Sequence, residues 1–247
     1  FVDDNPPERE KVRRALPMVE TPAVAQPEDS ISLLDRGGYF EVSSLSADDT
    51  KRSEMYRQNA KRAAQQNSFE NYDDYLKSLA MRAEIGPFQE EQLDRVTQLI
   101  NKTNQFNLTT RRYTAEDVRA CAGDREGCVT LSGNLGDKFG DNGVTTALIG
   151  RKQGEELDIE LWVMSCRIFK RNMEHAMFDA LVAGARGMGI KTLVGRYRPT
   201  AKNLLVKDFY ATIGFDLTAQ TEAQRDFCFT IPAAYTPQNT AINVERT

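Results

Sequence analysis

The sequence predicts an α/β (α+β) fold, a mixed sheet flanked by helices, preceded by the end of a smaller unit and a helical connector. Two observations predict it. The 247 residues are 40% hydrophobic and 28% charged, a balance that supports a real core and excludes a disordered chain. After a first strand near residue 83, strand-like and helix-like segments follow in the order α-α-β-β-β-α-β-α-β-β, which packs as helices on a central hairpin sheet. At roughly 150 residues per domain, the length fits one large domain and part of another.

Residues 1–46 are rich in proline and acid. Phe1 and Val2 read as the end of a buried strand, followed at once by Asp3 and Asp4. Pro6 opens a charged helix running from Glu8 to Ala15, since proline is tolerated in a first turn. A second short helix is expected over 28–36, capped by Asp29 or Ser30. Residues 47–82 read as a connector. From Ala47 to Gln66 there is no Gly or Pro, and from Ser68 to Met81 apolar residues recur every three to four positions.

Residues 83–235 carry the main unit. A strand is expected from Ala83 to Phe88, then a helix from Gln89 to Asn107 with Leu93, Val96 and Ile100 on one side. Thr114 caps a helix from Ala115 to Ala122. Strands follow at 128–134, 143–151 and 157–164, with Asp141-Asn142-Gly143 as a turn between the first two. The pattern continues with a helix from Glu174 to Gly187, a strand from Thr192 to Tyr197, a helix from Lys202 to Ile213, and strands at 215–219 and 226–231. The chain after Pro232 reads as polar and loose, with 236–247 as the tail.

Composition narrows the function classes. A net charge of -4 disfavours a bulk nucleic-acid binder. No run approaches the roughly 18 apolar residues of a membrane span, and no signal peptide opens the chain. The start on Phe1 rather than Met suggests a piece of something longer. None of the four cysteines (Cys121, Cys128, Cys166, Cys228) sits in a CxxC pair, and His175 is the one histidine. That disfavours a zinc site and points to reduced thiols and a cytoplasmic setting. From Glu160 to Tyr210 nine Lys/Arg face four acids, a local net of +5. Such a patch suits a phosphopantetheine arm or an acidic carrier protein, or it is a solvated helix face.

Several strings carry resemblances. Phe-Val-Asp-Asp-Asn-Pro-x-Glu-Arg at residue 1 resembles the last motif of haloacid dehalogenase (HAD) phosphatases, whose acid pair helps hold Mg²⁺. The Asp-x-Asp nucleophile motif of that family is not found in this chain, so Asp3 and Asp4 would be metal ligands only in a complete HAD domain; otherwise they cap the helix at Glu8. The turn Ser165-Cys166-Arg167-Ile168-Phe169-Lys170-Arg171-Asn172 resembles the Arg-x-x-Gly-x-Gly/Ala turn of GNAT acyltransferases, which holds the pyrophosphate of coenzyme A. Arg167 matches, while Lys170 and Asn172 replace the glycines. Asp208-Phe209-Tyr210 with Gly214-Phe215 resembles a later turn of the same family.

Three further strings extend the likeness: Leu99 to Asn107 with Thr109, Thr110 and Arg111; Asp137 to Gly143; and Met164-Ser165-Cys166-Arg167 followed by Tyr197-Arg198-Pro199-Thr200-x-Lys202-Asn203. Together they resemble the C-terminal region of FkbH-like proteins (HAD subfamily IIIC), which join a HAD-like domain to a GNAT-like one. The resemblance covers nearly the whole chain and implies polyketide or related biosynthesis. Such proteins take a glyceryl unit from 1,3-bisphosphoglycerate and leave it as a thioester on an acyl carrier protein.

The resemblance and the thiol chemistry nominate site residues. Thioester exchange needs a nucleophile that also leaves well, and a thiolate beside basic residues at a helix start meets both needs. Cys166 is the candidate; a buried strand cysteine is its alternative, and Cys121, Cys128 and Cys228 lack the setting. Asp141 is the preferred base over His175, unless it only shapes its turn. Asn203 and Thr200 are candidates for oxyanion or hydroxyl binding, or Thr200 caps a helix. Asn104, Gln105, Thr109, Arg111 and Asn142 are candidates for the substrate wall. Arg167, Lys170 and Arg171 would take the phosphate of phosphopantetheine or coenzyme A. Two other readings stay open: direct transfer from acyl-CoA to an amine, and a non-catalytic carrier-docking module.

Overall fold

The computed structural model describes residues 1–39 and 47–246, and the chain divides into two compact units, Phe1–Glu54 and Met55–Thr247. In the first unit, helix α1 (Pro6–Ala15) starts at the prolines of its first turn, and α2 (Ser30–Arg36) follows Asp29; neither N-cap side chain makes a capping hydrogen bond, so the expected Asp29 or Ser30 cap is corrected. Arg9, almost fully buried, ties α1 to the following loop by donating to the carbonyls of Asp3 and Val24. The expected strand at the start of the chain is corrected: Phe1 and Val2 are 46% and 40% exposed and lie in no strand. The terminal amine instead donates to the Glu20 carbonyl at 2.8 Å.

Helix α3 (Ala47–Gln66) leads to α4 (Tyr72–Ser78), whose N-terminus is capped by the Asn71 side chain. The second unit continues with β1 (Met81–Gly86), α5 (Leu93–Lys102), β2 (Phe106–Asn107), α6 (Ala115–Gly123), β3 (Cys128–Asp137), β4 (Gly140–Gln153), β5 (Glu156–Met164), α7 (Met173–Gly187), β6 (Thr192–Tyr197), α8 (Phe209–Thr212), β7 (Asp216–Gln220), β8 (Arg225–Thr230) and β9 (Ile242–Arg246). The described strands make one mixed sheet in the order β7-β8-β6-β5-β4-β3-β1-β9, with β2 added on β5. Alternation along β5 sets the two faces. Trp162 and Met164 pack with Phe178 and Phe209 of α7 and α8, while Leu161 and Val163 pack with Val96 and Ile100 of α5 and Val118 of α6.

Four expectations are corrected. The helix from Gln89 was to run to Asn107, but α5 stops at Lys102 because the Arg112 guanidinium takes the carbonyls of Ile100 and Thr103 at its end. The turn between β3 and β4 is Lys138-Phe139, with the Asp137 carboxylate accepting the Phe139 N–H; Asp141 to Gly143 sits inside β4, where the register shifts and Gly143 adopts φ +66°. The helix from Lys202 breaks into a 3-10 turn, Leu204–Val206, and the short α8, because Asn203 is drawn inward and fully buried. The tail beyond Pro232 is not loose: Ile242 and Val244 alternate with polar residues and β9 pairs in parallel with β1.

Asp179 of α7 holds this last segment. Its carboxylate accepts the Tyr235 hydroxyl and the backbone N–H groups of Gln238 and Asn239, and Asn239 then caps the start of β9. Asp179→Ala leaves those N–H groups without their acceptor and is expected to cost about 2–4 kcal/mol of stability. Urea denaturation measures it, with limited proteolysis after residue 232 as the local readout. An unchanged midpoint contradicts the pin.

Candidate active site at the carboxyl edge of two parallel strands

β5 and β6 are parallel and pair only from Glu156↔Thr192 to Ile159↔Gly195. Beyond that point they part. The gap is filled by the chain itself: Phe106 and Asn107 pair with Met164 and Val163. The Leu108 N–H then reaches the Trp162 carbonyl, and the Arg198 N–H reaches the Leu108 carbonyl at 2.8 Å. Both strands open at one sheet edge, the usual place for ligands in parallel α/β structure. The turn at 165–172 leaves β5 there, and the loop at 198–207 leaves β6.

Asn203 locks the insertion. Its amide donates to the carbonyls of Asn107 and Arg198, both at 2.9 Å. Its oxygen accepts the Thr200 N–H, the Thr200 hydroxyl and the Tyr197 hydroxyl. Both donors and the acceptor are therefore committed. Asn203 is corrected from oxyanion binder to structural clamp, and Thr200 is the exposed end of that clamp. Phe106 completes the join by packing against Phe169 of the turn and Phe209 of α8, at centroid distances of 5.7 and 4.8 Å.

Cys166 is exposed, at the first position of a short 3-10 turn, Cys166–Ile168, just after β5. The Ser165 hydroxyl accepts the Arg167 N–H and its Nε–H, which ties that side chain back to the end of β5. Lys170 and Asn172 carry φ of +63° and +61°. They keep the left-handed backbone that glycine adopts freely and that other residues enter at a cost. Asn172 is the N-cap residue of α7, whose first N–H groups have no carbonyl partner within the helix. The Tyr72 hydroxyl donates to the Lys170 carbonyl at 2.7 Å and fixes the turn from α4.

Arg171 is corrected as a phosphate ligand. It is 8% exposed and pairs with Asp137 at 3.2 Å. Asp137, its side chain fully covered, also takes two donors of Arg62 at 2.7 and 2.9 Å. Burial and the neighbouring Arg62 charge hold the Arg171 guanidinium below its ordinary value. This Arg62–Asp137–Arg171 cluster joins the hairpin motif to the turn motif. Neither Asp137 nor Arg62 is among the candidates that the sequence nominates, although Asp137 opens the Asp137–Gly143 motif.

The basic stretch is also less free than its count. Arg196 pairs with Asp158 and Asp226, Lys191 with Glu155, and Arg186 donates to the Ala233 carbonyl. The remaining candidates do not meet at Cys166. Asp141 lies four residues, about 13 Å at strand rise, beyond Thr145, whose carbonyl receives the Ser165 N–H; its carboxylate accepts the Gly143 N–H. Asn142, 8% exposed, donates to the Leu135 carbonyl and closes the hairpin. His175 shares a hydrogen bond with Gln238.

The proposed wall divides. Gln105 is exposed, Asn104 receives Arg112, and the Thr109 hydroxyl donates to the Glu160 carbonyl at 2.8 Å. Arg111 pairs with Glu160 at 2.9 Å and stacks over Tyr113. It faces a separate cleft of about 350 Å³ with Arg112, Tyr113, Cys121, Cys128 and Arg151. Burial pushes the Cys128 thiol up to about 12, which keeps it protonated and inert at neutral pH. Asp3 and Asp4 are two carboxylates, and Asp3 accepts the Asn5 N–H. Among the described residues no group of three or more His, Cys, Asp or Glu side chains is placed to hold a metal ion. Also among the described residues, no helix is long and apolar enough to cross a membrane.

Comparison with known proteins adds the following. No family model and no curated protein matches the chain. Among solved structures, the ribosomal-protein-S18-alanine N-acetyltransferase from Escherichia coli is similar at 12% identity and a TM-score of 0.47, over 64% of this chain and 99% of that one. The GNAT domain of S. lividans PAT is similar at 16% and 0.48, over 59% and 89%. An acetyltransferase of the GNAT family from Streptococcus pneumoniae is similar at 12% and 0.48, over 61% and 100%. With TM-scores below 0.5 these likenesses carry no argument, and the mixed α/β fold rests on the strand pairing of this chain.

Glu174, in the first turn of α7, gives the edge a pH signature. Its Oε2 is buried with no partner among the described residues, and burial pushes its carboxyl above the ordinary 4.5; its own backbone N–H and His175 oppose this more weakly. Below pH 4.5 the folded and unfolded chains both hold the proton, and no penalty exists. As pH rises from there through the raised folded value, the unfolded chain releases its proton first and stability falls. Glu174→Gln is therefore expected to be more stable than wild type at neutral pH and equal to it below pH 4.5. Thermal denaturation across pH checks this, and a uniform offset at all pH values contradicts it.

Proposed function

We propose that residues 55–247 form an acyltransferase in which Cys166 accepts a short hydroxyacyl group and passes it to the phosphopantetheine thiol of an acyl carrier protein. The observation that carries this reading is the exposed Cys166 thiol at the edge where β5 and β6 part. Phe106–Leu108 fill the gap between β5 and β6, Asn203 clamps them, and Asp137 holds the turn through Arg171.

The Cys166 thiolate attacks the acyl carbonyl of the donor. The donor's leaving group departs with the electron pair of the broken bond, and a Cys166 thioester remains. The carrier thiolate repeats the exchange and regenerates Cys166. Arg167 and Lys170 are the residues that would meet the phosphate of the incoming arm, with the first N–H groups of α7 behind them. The resemblance to FkbH-like proteins supports a glyceryl-type group, delivered from 1,3-bisphosphoglycerate by a HAD-type partner domain that needs Mg²⁺. Residues 1–46 would be the end of that domain, 47–82 the connector and 83–235 the GNAT-like unit, in a cytoplasmic pathway.

A second reading has one observation in its favour. The left-handed backbone at Lys170 and Asn172 keeps the shape of a glycine-bearing phosphate turn. That shape also suits direct transfer from acyl-CoA to an amine. The test separates the two. The protein is incubated with a glyceryl thioester of N-acetylcysteamine, and intact mass and peptide mapping follow the adduct. A hydroxylamine-labile adduct on Cys166, absent in Cys166→Ala, is the expected result. An adduct that survives the substitution, or a Cys166→Ala variant that still acylates an amine from acyl-CoA, overturns the covalent route.

A further inference from the structure

The loop that leaves β6 exposes two consecutive leucines. Leu204 is 58% and Leu205 67% exposed, while Asn203 on one side and Val206 on the other are buried. The flanks fix this presentation. Asn203 is held by its clamp, and Val206 packs in the core with Tyr197. The leucines therefore cannot turn inward without breaking the lock on β2, and they stand as an apolar step on a rigid base.

Cations frame the step. Arg198, Lys202 and Lys207 are exposed, and no acid occurs from Arg198 to Lys207. The Arg198 guanidinium donates to the neutral Gln224 side chain, and Lys207 meets Asp208 at 3.9 Å, a carboxylate it shares with Arg225 at 3.3 Å. A second acid, Asp226, accepts from the amide of that same Gln224 at 2.7 Å. Four cations against two acids leave a net positive frame around two leucines, at the same edge as Cys166. Two leucines offer too little apolar surface to insert into a bilayer, whereas an apolar centre with a charged rim is the make-up of a protein interface.

The geometry points to the loop Arg198–Lys207 as the docking surface for an acidic protein partner, whose carboxylates meet Lys202 and Lys207 and whose apolar side chain covers Leu204 and Leu205. This deepens the reading above by placing where the carrier sits, and it rests on that reading for the partner's identity. Docking there would set the carrier beside the turn that bears Cys166.

The test measures binding of an acidic acyl carrier protein, in apo and holo forms, to wild type and to the L204S/L205S and K202E/K207E double variants. Circular dichroism confirms the fold, which these exposed positions should not disturb. Cys166 acylation by the small N-acetylcysteamine thioester is followed in parallel, since it needs no docking. Both variants should weaken binding of both carrier forms by roughly tenfold or more, with a steep loss between about 50 and about 300 mM salt for wild type. Small-thioester acylation should be unchanged. Equal carrier binding by all three proteins overturns the docking surface and leaves the Cys166 reading standing. Loop-dependent carrier binding without any Cys166 adduct supports the surface and overturns the covalent reading. Binding of anionic vesicles, rather than carrier, that is lost in the same variants also overturns it.

Discussion

The divergence of β5 and β6 is the constraint on which this unit depends. Two parallel strands that separate expose half a row of backbone donors and acceptors, and such groups are costly unless paired. Here the chain returns its own segment, Phe106 to Leu108, into the opening. One buried amide, Asn203, joins the returning segment to the loop after β6. Every donor and acceptor on that side chain is used, so it specifies a single arrangement. The exposed positions around it, Cys166, Lys170, Thr200 and Lys202, inherit their places from this lock.

Charge does the same work on the other flank. Asp137 is buried between Arg62 and Arg171, which leaves an excess positive charge under cover. A buried pair of this kind adds little net stability, yet losing one partner costs about 3–5 kcal/mol because a bare charge remains. Its value lies in position. It ties α3, the β3–β4 hairpin and the turn before α7 into one frame, and the Tyr72 bond to the Lys170 carbonyl fixes the same turn.

The elements with strong local signals were legible in the sequence. The strand at Thr192–Tyr197 matched to the residue, and α6 and α7 to within one position at each end. What failed depended on distant partners. Nothing near Lys102 says that α5 stops there; Arg112 does it from ten residues on. The strand at Ile242 does carry a period-2 signal, but it is short and isolated, and β1 and Asp179 are needed to hold it. At the site, local charge and motif context nominated Arg171 and Asn203, and neither view sees Asp137 or Asn107 across the fold. The structure bears on one local point at Cys166, that the thiol after β5 is exposed rather than buried in the strand.

Amide hydrogen exchange of Asn203→Ala against wild type tests the central claim most directly, because the lock acts through two backbone bonds across the gap. The account predicts that the Leu108 and Arg198 amides lose protection together, while the β3–β4 ladder keeps its own. Wild-type protection at both amides in the variant would contradict it.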